Sequence, residues 1–329
     1  MKKPSDRKNL IDSRDSIPDS PGASRDIFIS SFCDLHVHTS ASDGSLTPIE
    51  VVNLASRKGL KAVAICDHDT MAGFAQIAGL DRCTNLSAGP ASPKEKAGSN
   101  RPQSLPFPGI EIIPGIEINS EWNGHEVHIL GYYVPLDDEE FGELLEKLRR
   151  SRYERIRLMV EKLQSIGINV DLDRVEEIAR GDSLGRPHVG EAMVEKGYVA
   201  SVKEAFEKYL GIGKPAYVER YHLDPGESVE RIRKAGGVAV WAHPGTAGVD
   251  ELLQSLIEKG LQGLEVYHPE HDRRAQQKYL AYAKRFGLVV TGGSDFHGPG
   301  AGEGADLGSY GVPYEVVSTL KELGNIPAL

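Results

Sequence analysis

Short runs of β-branched residues alternate with amphipathic stretches along most of this chain, which confines it to an α/β fold built on a largely parallel sheet. Strands are expected at 27–38, 61–66, 109–119, 125–134, 237–242, 263–267 and 288–291. Thr47, Pro48 and Glu50 mark a helix start after the first of them. A hydroxyl caps the helix, a ring suits its first turn, and a carboxylate completes a capping box. Two regions break the rhythm. Residues 80–108 are rich in Pro, Gly and Ser without periodicity, and read as a mobile insertion or a lid. Residues 137–218 read as a helical insert, leaving 27–136 and 219–329 for the barrel. Residues 1–26 are polar, lack an apolar core and read as a disordered tail, not a secretory signal.

The chemistry gathers where strands end. His36 and His38 close the first strand, His68 follows the second, Glu117 ends the third and His128 lies in the fourth. His243 follows Gly237–Ala242, and Asp295 and His297 follow the last strand. In a β/α barrel these ends converge on one face, where catalytic groups collect. Residues two apart on an extended strand project to the same side, so His36 and His38 can reach one cation at about 2.1 Å. Asp295 and His297 repeat that spacing, and Asp43 sits in a Ser-Asp-Gly turn able to fold back on the first pair. Glu126 and His128 share a face, whereas His125 points away. Nine mixed N/O side chains exceed the needs of one ion. Two or three divalent ions with Glu117 bridging are expected, and a hydroxide held between them would attack a phosphoryl group. Asp43, His68 and His297 are assigned to that catalytic step. Asp67 and Asp69, flanking His68, are expected to orient the ligands around them. No cysteine belongs to the set, so manganese, zinc and iron(II) all suit it.

Composition trims the alternatives. A formal net charge of −10 disfavours a grip on long duplex nucleic acid, which needs many cations on phosphates. Cys33, Cys66 and Cys83 form no paired framework, and no stretch is long and apolar enough for a bilayer. A cytoplasmic protein without a membrane partner is expected.

The stretches DLHVHTSASDG (34–44), AICDHDT (64–70), IPGIEIN (113–119), HEVHILGYYV (125–134), GVAVWAHPG (237–245) and GGSDFHG (292–298) resemble the polymerase-and-histidinol-phosphatase (PHP) superfamily. The resemblance implies a distorted seven-stranded β/α barrel with a trinuclear site. Its ligands would be His36, His38, Asp43, His68, Glu117, His128, His243, Asp295 and His297, all present. Gly185-Arg186-Pro187-His188 and Gly213-Lys214-Pro215-Ala216-Tyr217-Val218 resemble the insert of the bacterial nucleoside 3′,5′-bisphosphate phosphatases in that superfamily, some of which also trim short RNA. Arg186 has a planar fork for phosphate and His188 a second donor. Lys214 and His271 are further substrate-contact candidates, while the basic run at 147–157, with Arg150, Tyr153 and Arg157 on one face, is expected to be a solvated helix.

The expected activity is therefore metal-dependent hydrolysis of a nucleotide phosphate monoester, from nucleoside 3′,5′-bisphosphate to the 5′-monophosphate. A 5′-to-3′ exoribonuclease acting on short RNA and a noncatalytic metal-binding module are the alternatives.

Overall fold

The computed structural model describes residues 32–79, 109–179, 183–219, 221, 223–299 and 305–326. The expected tail at 1–26, the start of the first strand at 27–31, the 80–108 segment and Cys83 lie outside the described residues.

The strands are β1 (Phe32–Val37), β2 (Ala62–Ile65), β3 (Glu111–Trp122), β4 (His125–Tyr132), β5 (Val238–Trp241), β6 (Gly263–Tyr267), β7 (Val289–Gly292) and β8 (Val312–Pro313). They form one sheet in the order β7-β6-β5-β4-β3-β2-β1-β8. β1, β2 and β3 pair in parallel, as do β5, β6 and β7. β4, which carries His128, runs antiparallel to both neighbours and departs from the otherwise largely parallel sheet. The reason is local. Asn123 and Gly124 both take positive φ, 50° and 83°, which a two-residue hairpin turn of the favoured hand requires. That Asn-Gly signal stands in the sequence. β8 adds a short antiparallel partner outside β1, one strand beyond the expected seven.

The sheet curls into a nearly closed barrel because the chain after β7 is laid along β1. The Asp295 N–H donates to the His36 carbonyl and the His38 N–H to that of Phe296, each at 2.9 Å. Fully buried Asp34 locks the seam, accepting from the Ser294 N–H at 2.9 Å, its hydroxyl at 2.6 Å and the Gly308 N–H at 2.8 Å.

One irregularity decides which way the first histidines point. Cys33 and Leu35 pack with Ala62, Ala64, Ile113, Leu130 and Val240 inside the barrel. Val37 instead packs outside with Val51, Val63 and Ile65. β1 carries a register shift between Asp34 and Val37, and this reverses the alternation so that His36 and His38 turn inward.

Around the barrel run α1 (Pro48–Arg57) and α2 (Ala72–Ile77), then, after β4, α3 (Glu139–Ser165), α4 (Leu172–Ala179), α5 (Arg186–Glu195) and α6 (Val202–Ala205). α7 (Pro225–Lys234), α8 (Pro244–Ala247), α9 (Leu253–Glu258), α10 (Arg273–Phe286) and α11 (Glu315–Leu323) complete it. Thr47 caps α1, with the reciprocal Glu50 contacts expected of a capping box. α3 starts on the Asp138 carboxylate and carries Glu139 and Glu140 in its first turn, where the helix dipole favours acid. Ile156, Met159, Leu163, Val175, Val189 and Met193 give these middle helices an apolar core of their own. No helix among the described residues is long and apolar enough to cross a membrane.

Candidate metal centre

All nine side chains singled out in the sequence reach one mouth of the barrel. Glu117 is at its centre and nearly fully buried. Its Oε2 faces His36 Nε2 at 3.4 Å, His38 Nε2 at 3.3 Å and His68 Nδ1 at 2.9 Å. Its Oε1 faces His128 Nδ1 at 2.8 Å and His243 Nε2 at 3.1 Å. Asp295 Oδ1 lies 3.4 Å from His36 Nε2 and 3.1 Å from His38 Nε2. Asp43 faces His297 Nε2 at 3.4 Å through one oxygen and His68 Nε2 at 3.6 Å through the other. His38, Asp43, His68 and His297 make one group able to hold an ion; His36, Glu117 and His243 make another, and His68, Glu117 and His128 a third.

Hydrogen bonds away from the mouth fix several imidazoles. His36 Nδ1 meets both oxygens of Glu265 at 3.1 Å, and His297 Nδ1 meets the Asp295 carbonyl at 2.8 Å. Those oxygens can only accept, so both Nδ1 atoms carry a proton and both Nε2 atoms aim into the cluster. The Thr246 hydroxyl donates to the His243 carbonyl, so it accepts from His243 Nδ1 at 2.9 Å with the same result. Asp67 faces the turn that carries Asp43. It accepts from the Thr39 N–H at 2.7 Å, the Thr39 hydroxyl at 2.8 Å and the Ser42 hydroxyl at 2.7 Å, and so folds back the turn that carries Asp43. Asp69 takes the Asn119 N–H at 3.0 Å and Arg152 Nε at 2.6 Å. Three residues here, Asp69, His243 and Asp295, hold positive φ without being glycine, strain of a kind that clusters at functional sites.

The donor set fits cations. His36 Nε2 and His38 Nε2 point at each other at 3.1 Å, and among the described residues the buried His38 Nδ1 and Asp43 Oδ1 have no hydrogen-bond partner. Burial pushes the His36 imidazole down, yet Glu265, Glu117 and Asp295 outweigh it and hold His36 well above its ordinary value. His297, opposed by burial but facing Asp43 and Asp295, rises to about 10. Burial works against the charged forms of Asp43, Glu117 and Asp295, but the surrounding imidazoles keep all three well below the usual carboxylate range. A buried pocket that draws protons onto its histidines carries surplus negative charge, which divalent ions would neutralise.

The family of the PHP domain matches residues 34–219. This chain belongs to the PHP domain family. It is accordingly a metal-dependent hydrolase of phosphate esters. Similar proteins occur in bacteria. A 3′,5′-nucleoside bisphosphate phosphatase of Chromobacterium violaceum is 32% identical over 84% of this chain and 90% of its own length. A 5′-3′ exoribonuclease of Haemophilus influenzae is 33% identical over 81% of this chain and 90% of its own. Among solved structures, an amidohydrolase of C. violaceum with bound sulfate superposes with a TM-score of 0.72 at 29% identity, covering 89% of this chain and 97% of that one.

Two residues of this PHP site escaped the sequence reading. His268 Nε2 lies 3.3 Å from Asp295 Oδ2 and joins His243 and Asp295 in a further group able to hold an ion. It follows β6 immediately, the same strand-end signal that marked the others. Glu265, a fully buried charge inside β6, grips His36 and also accepts the His243 N–H at 3.0 Å. Glu265→Gln is expected to weaken divalent-metal affinity about tenfold, since a partner that orients a ligand contributes on that scale. Competition with a chromophoric chelator measures it; wild-type affinity would show that His36 is held without Glu265.

The substrate-contact candidates separate. His188 is buried at the start of α5, where its Nδ1 accepts the Gly185 N–H at 3.0 Å, so its proton sits on Nε2. Burial lowers its basicity, which the Asp43 charge opposes and the Arg152 charge reinforces. Arg186 opens α5, lies over Phe206 and pairs with Glu126 at 2.8 Å. Lys214 is exposed in a turn. His271 is corrected as a substrate contact: Nδ1 donates to the Val266 carbonyl at 2.9 Å and Nε2 accepts the Gly245 N–H at 3.0 Å, which uses both nitrogens on backbone. On α3, Arg150 and Arg157 lie on the solvent side paired with glutamates, while Arg152 and Arg155 are on the buried side.

Proposed function

We propose that this PHP protein removes the 3′-phosphate from nucleoside 3′,5′-bisphosphates, leaving the 5′-monophosphate. The observation that carries this reading is the convergence of nine N/O side chains on one mouth of the barrel, with Glu117 between two sets of imidazoles. The name of the C. violaceum relative supports the substrate class. Two or three manganese, zinc or iron(II) ions held by His36, His38, Asp43, His68, Glu117, His128, His243, Asp295 and His297 would acidify water and neutralise phosphoryl oxygens. The chain itself positions. Glu117 ties two sets of imidazoles to one carboxylate, and Asp67 keeps Asp43 folded against His297. His188 Nε2 offers its proton to a substrate oxygen, and Arg186 can exchange Glu126 for phosphate. Small nucleotides are the partners in this reading, and the free thiols of Cys33 and Cys66 suit the cytoplasm.

Short RNA cleaved from the 5′ end is the second reading, favoured by the name of the H. influenzae relative. With manganese supplied, kcat/KM for phosphate release from adenosine 3′,5′-bisphosphate is expected to exceed that for AMP and p-nitrophenyl phosphate by at least about tenfold. Equal rates would sink the bisphosphate reading. Mononucleotide release from a 5′-phosphorylated dinucleotide would favour the second.

A further inference from the structure

Tyr132 is fully buried inside the barrel, among Leu35, Ala64, Cys66, Ile113 and Val240. A phenylalanine would fill that space without burying a hydroxyl, which costs free energy unless it is hydrogen-bonded. The hydroxyl has a definite target. It donates to the Leu35 carbonyl at 2.8 Å, although β3 and β2 separate β4 from β1 in the sheet, so the phenol spans the barrel interior. Cys66 Sγ lies 3.5 Å from the same oxygen. Gly115 stands opposite Tyr132, and a Cβ added there would lie 2.7 Å from that sulfur, so the glycine makes room for the thiol. Leu35 sits where β1 departs from regular pairing. Asp34 pairs with Val63 and Val37 with Ile65, which leaves Leu35 and His36 together opposite Ala64. A bulge of this kind disrupts the ladder locally, and a buried carbonyl there needs a donor from elsewhere. The strand end that carries the phenol is pinned as well. Tyr133 holds φ at 57°, rare for a bulky residue, with its hydroxyl on Glu111 at 3.1 Å.

We infer that Tyr132 is a positioning residue for the metal centre, whose hydroxyl, through the Leu35 carbonyl, sets the direction in which His36 points. This rests on His36 being a metal ligand, as in the reading above. The Leu35 carbonyl and the His36 N–H belong to one planar peptide unit, so holding the oxygen fixes the plane from which the His36 side chain departs. The other edge of that plane is held only loosely, by the His36 N–H on Asp34 Oδ1 at 3.4 Å. Glu265 holds the imidazole at Nδ1, but it acts on a ring that turns about bonds starting at the His36 Cα. Tyr132 fixes where those bonds begin. The hydroxyl on β4 thus reaches a ligand on β1 through one peptide plane, without touching the mouth of the barrel.

The test measures manganese affinity of the full chain, by competition with a chromophoric chelator, and the visible spectrum at saturating cobalt(II). Y132F keeps the ring and removes the hydroxyl. It is expected to weaken manganese binding about tenfold, the scale on which groups behind a ligand contribute, and to shift the cobalt bands. C66A removes the weaker donor to the same oxygen and is expected to weaken binding about threefold. It carries the test if Y132F does not fold. In an H36A background neither substitution is expected to move affinity or spectrum further, because the effect passes through His36. A folded variant with wild-type affinity and spectrum overturns the inference. So does an undiminished effect in the H36A background, which is what a merely structural hydroxyl would give. Failure of the ligand reading looks different: H36A itself would bind manganese like wild type, and the inference would fall with that reading.

Discussion

Asp295→Asn is expected to cut turnover of p-nitrophenyl phosphate by at least about a thousandfold, or ~4 kcal/mol of transition-state stabilisation. Its Oδ1 sits within 3.4 Å of the Nε2 atoms of both His36 and His38, and its Oδ2 faces His268. An amide keeps the shape but carries no charge, so the cation that would share those nitrogens loses a carboxylate. The substrate is deliberately simple, which makes the result independent of which nucleotide is preferred. Far-UV circular dichroism should be unchanged and the metal content lower. Turnover within about tenfold of wild type would remove Asp295 from the reaction.

Gly293→Ala is expected to destabilise the fold by about 3 kcal/mol or more, with melting roughly 5–10 °C lower. The segment after β7 presses on β1 so closely that an added Cβ would lie 2.4 Å from both the Cβ and the backbone nitrogen of His36. No rotamer relieves a clash with backbone, so the barrel seam must open, displacing His36 from the cluster. Gly142→Ala is the control. It lies in α3, an added Cβ there meets nothing within 4 Å, and the helix should gain about 0.5–1 kcal/mol. Equal melting temperatures for the two variants would refute the close approach as the reason for glycine at 293.

The alternation of strands and helices was legible because each element must bury one face, and that periodicity is written locally. The Thr47–Glu50 helix start was legible for the same reason, since a capping box lies within four residues. The antiparallel run of β4 could have been read from Asn123-Gly124. His268 could have been found by the rule that found His243. Arg152 could not. Its helix face reads as a basic run until Asp69, 83 residues earlier, is placed against it. His271 misled for the converse reason: position after a strand suggested a pocket, but only packing shows both its nitrogens bound to backbone.

The sequence by itself therefore determined the fold class, the elements and the nine side chains at the mouth, because residue type and spacing along a strand set which groups can project together. Tertiary structure alone decided how those groups face one another. The shift within β1 turns His36 and His38 inward, the seam through Asp34 and Ser294 closes the barrel, and Glu265 sets the proton on His36. It also left Arg152 with a buried nitrogen lacking a described partner. Each depends on contacts between distant segments, whose geometry is fixed by packing and by the need to satisfy buried polar groups.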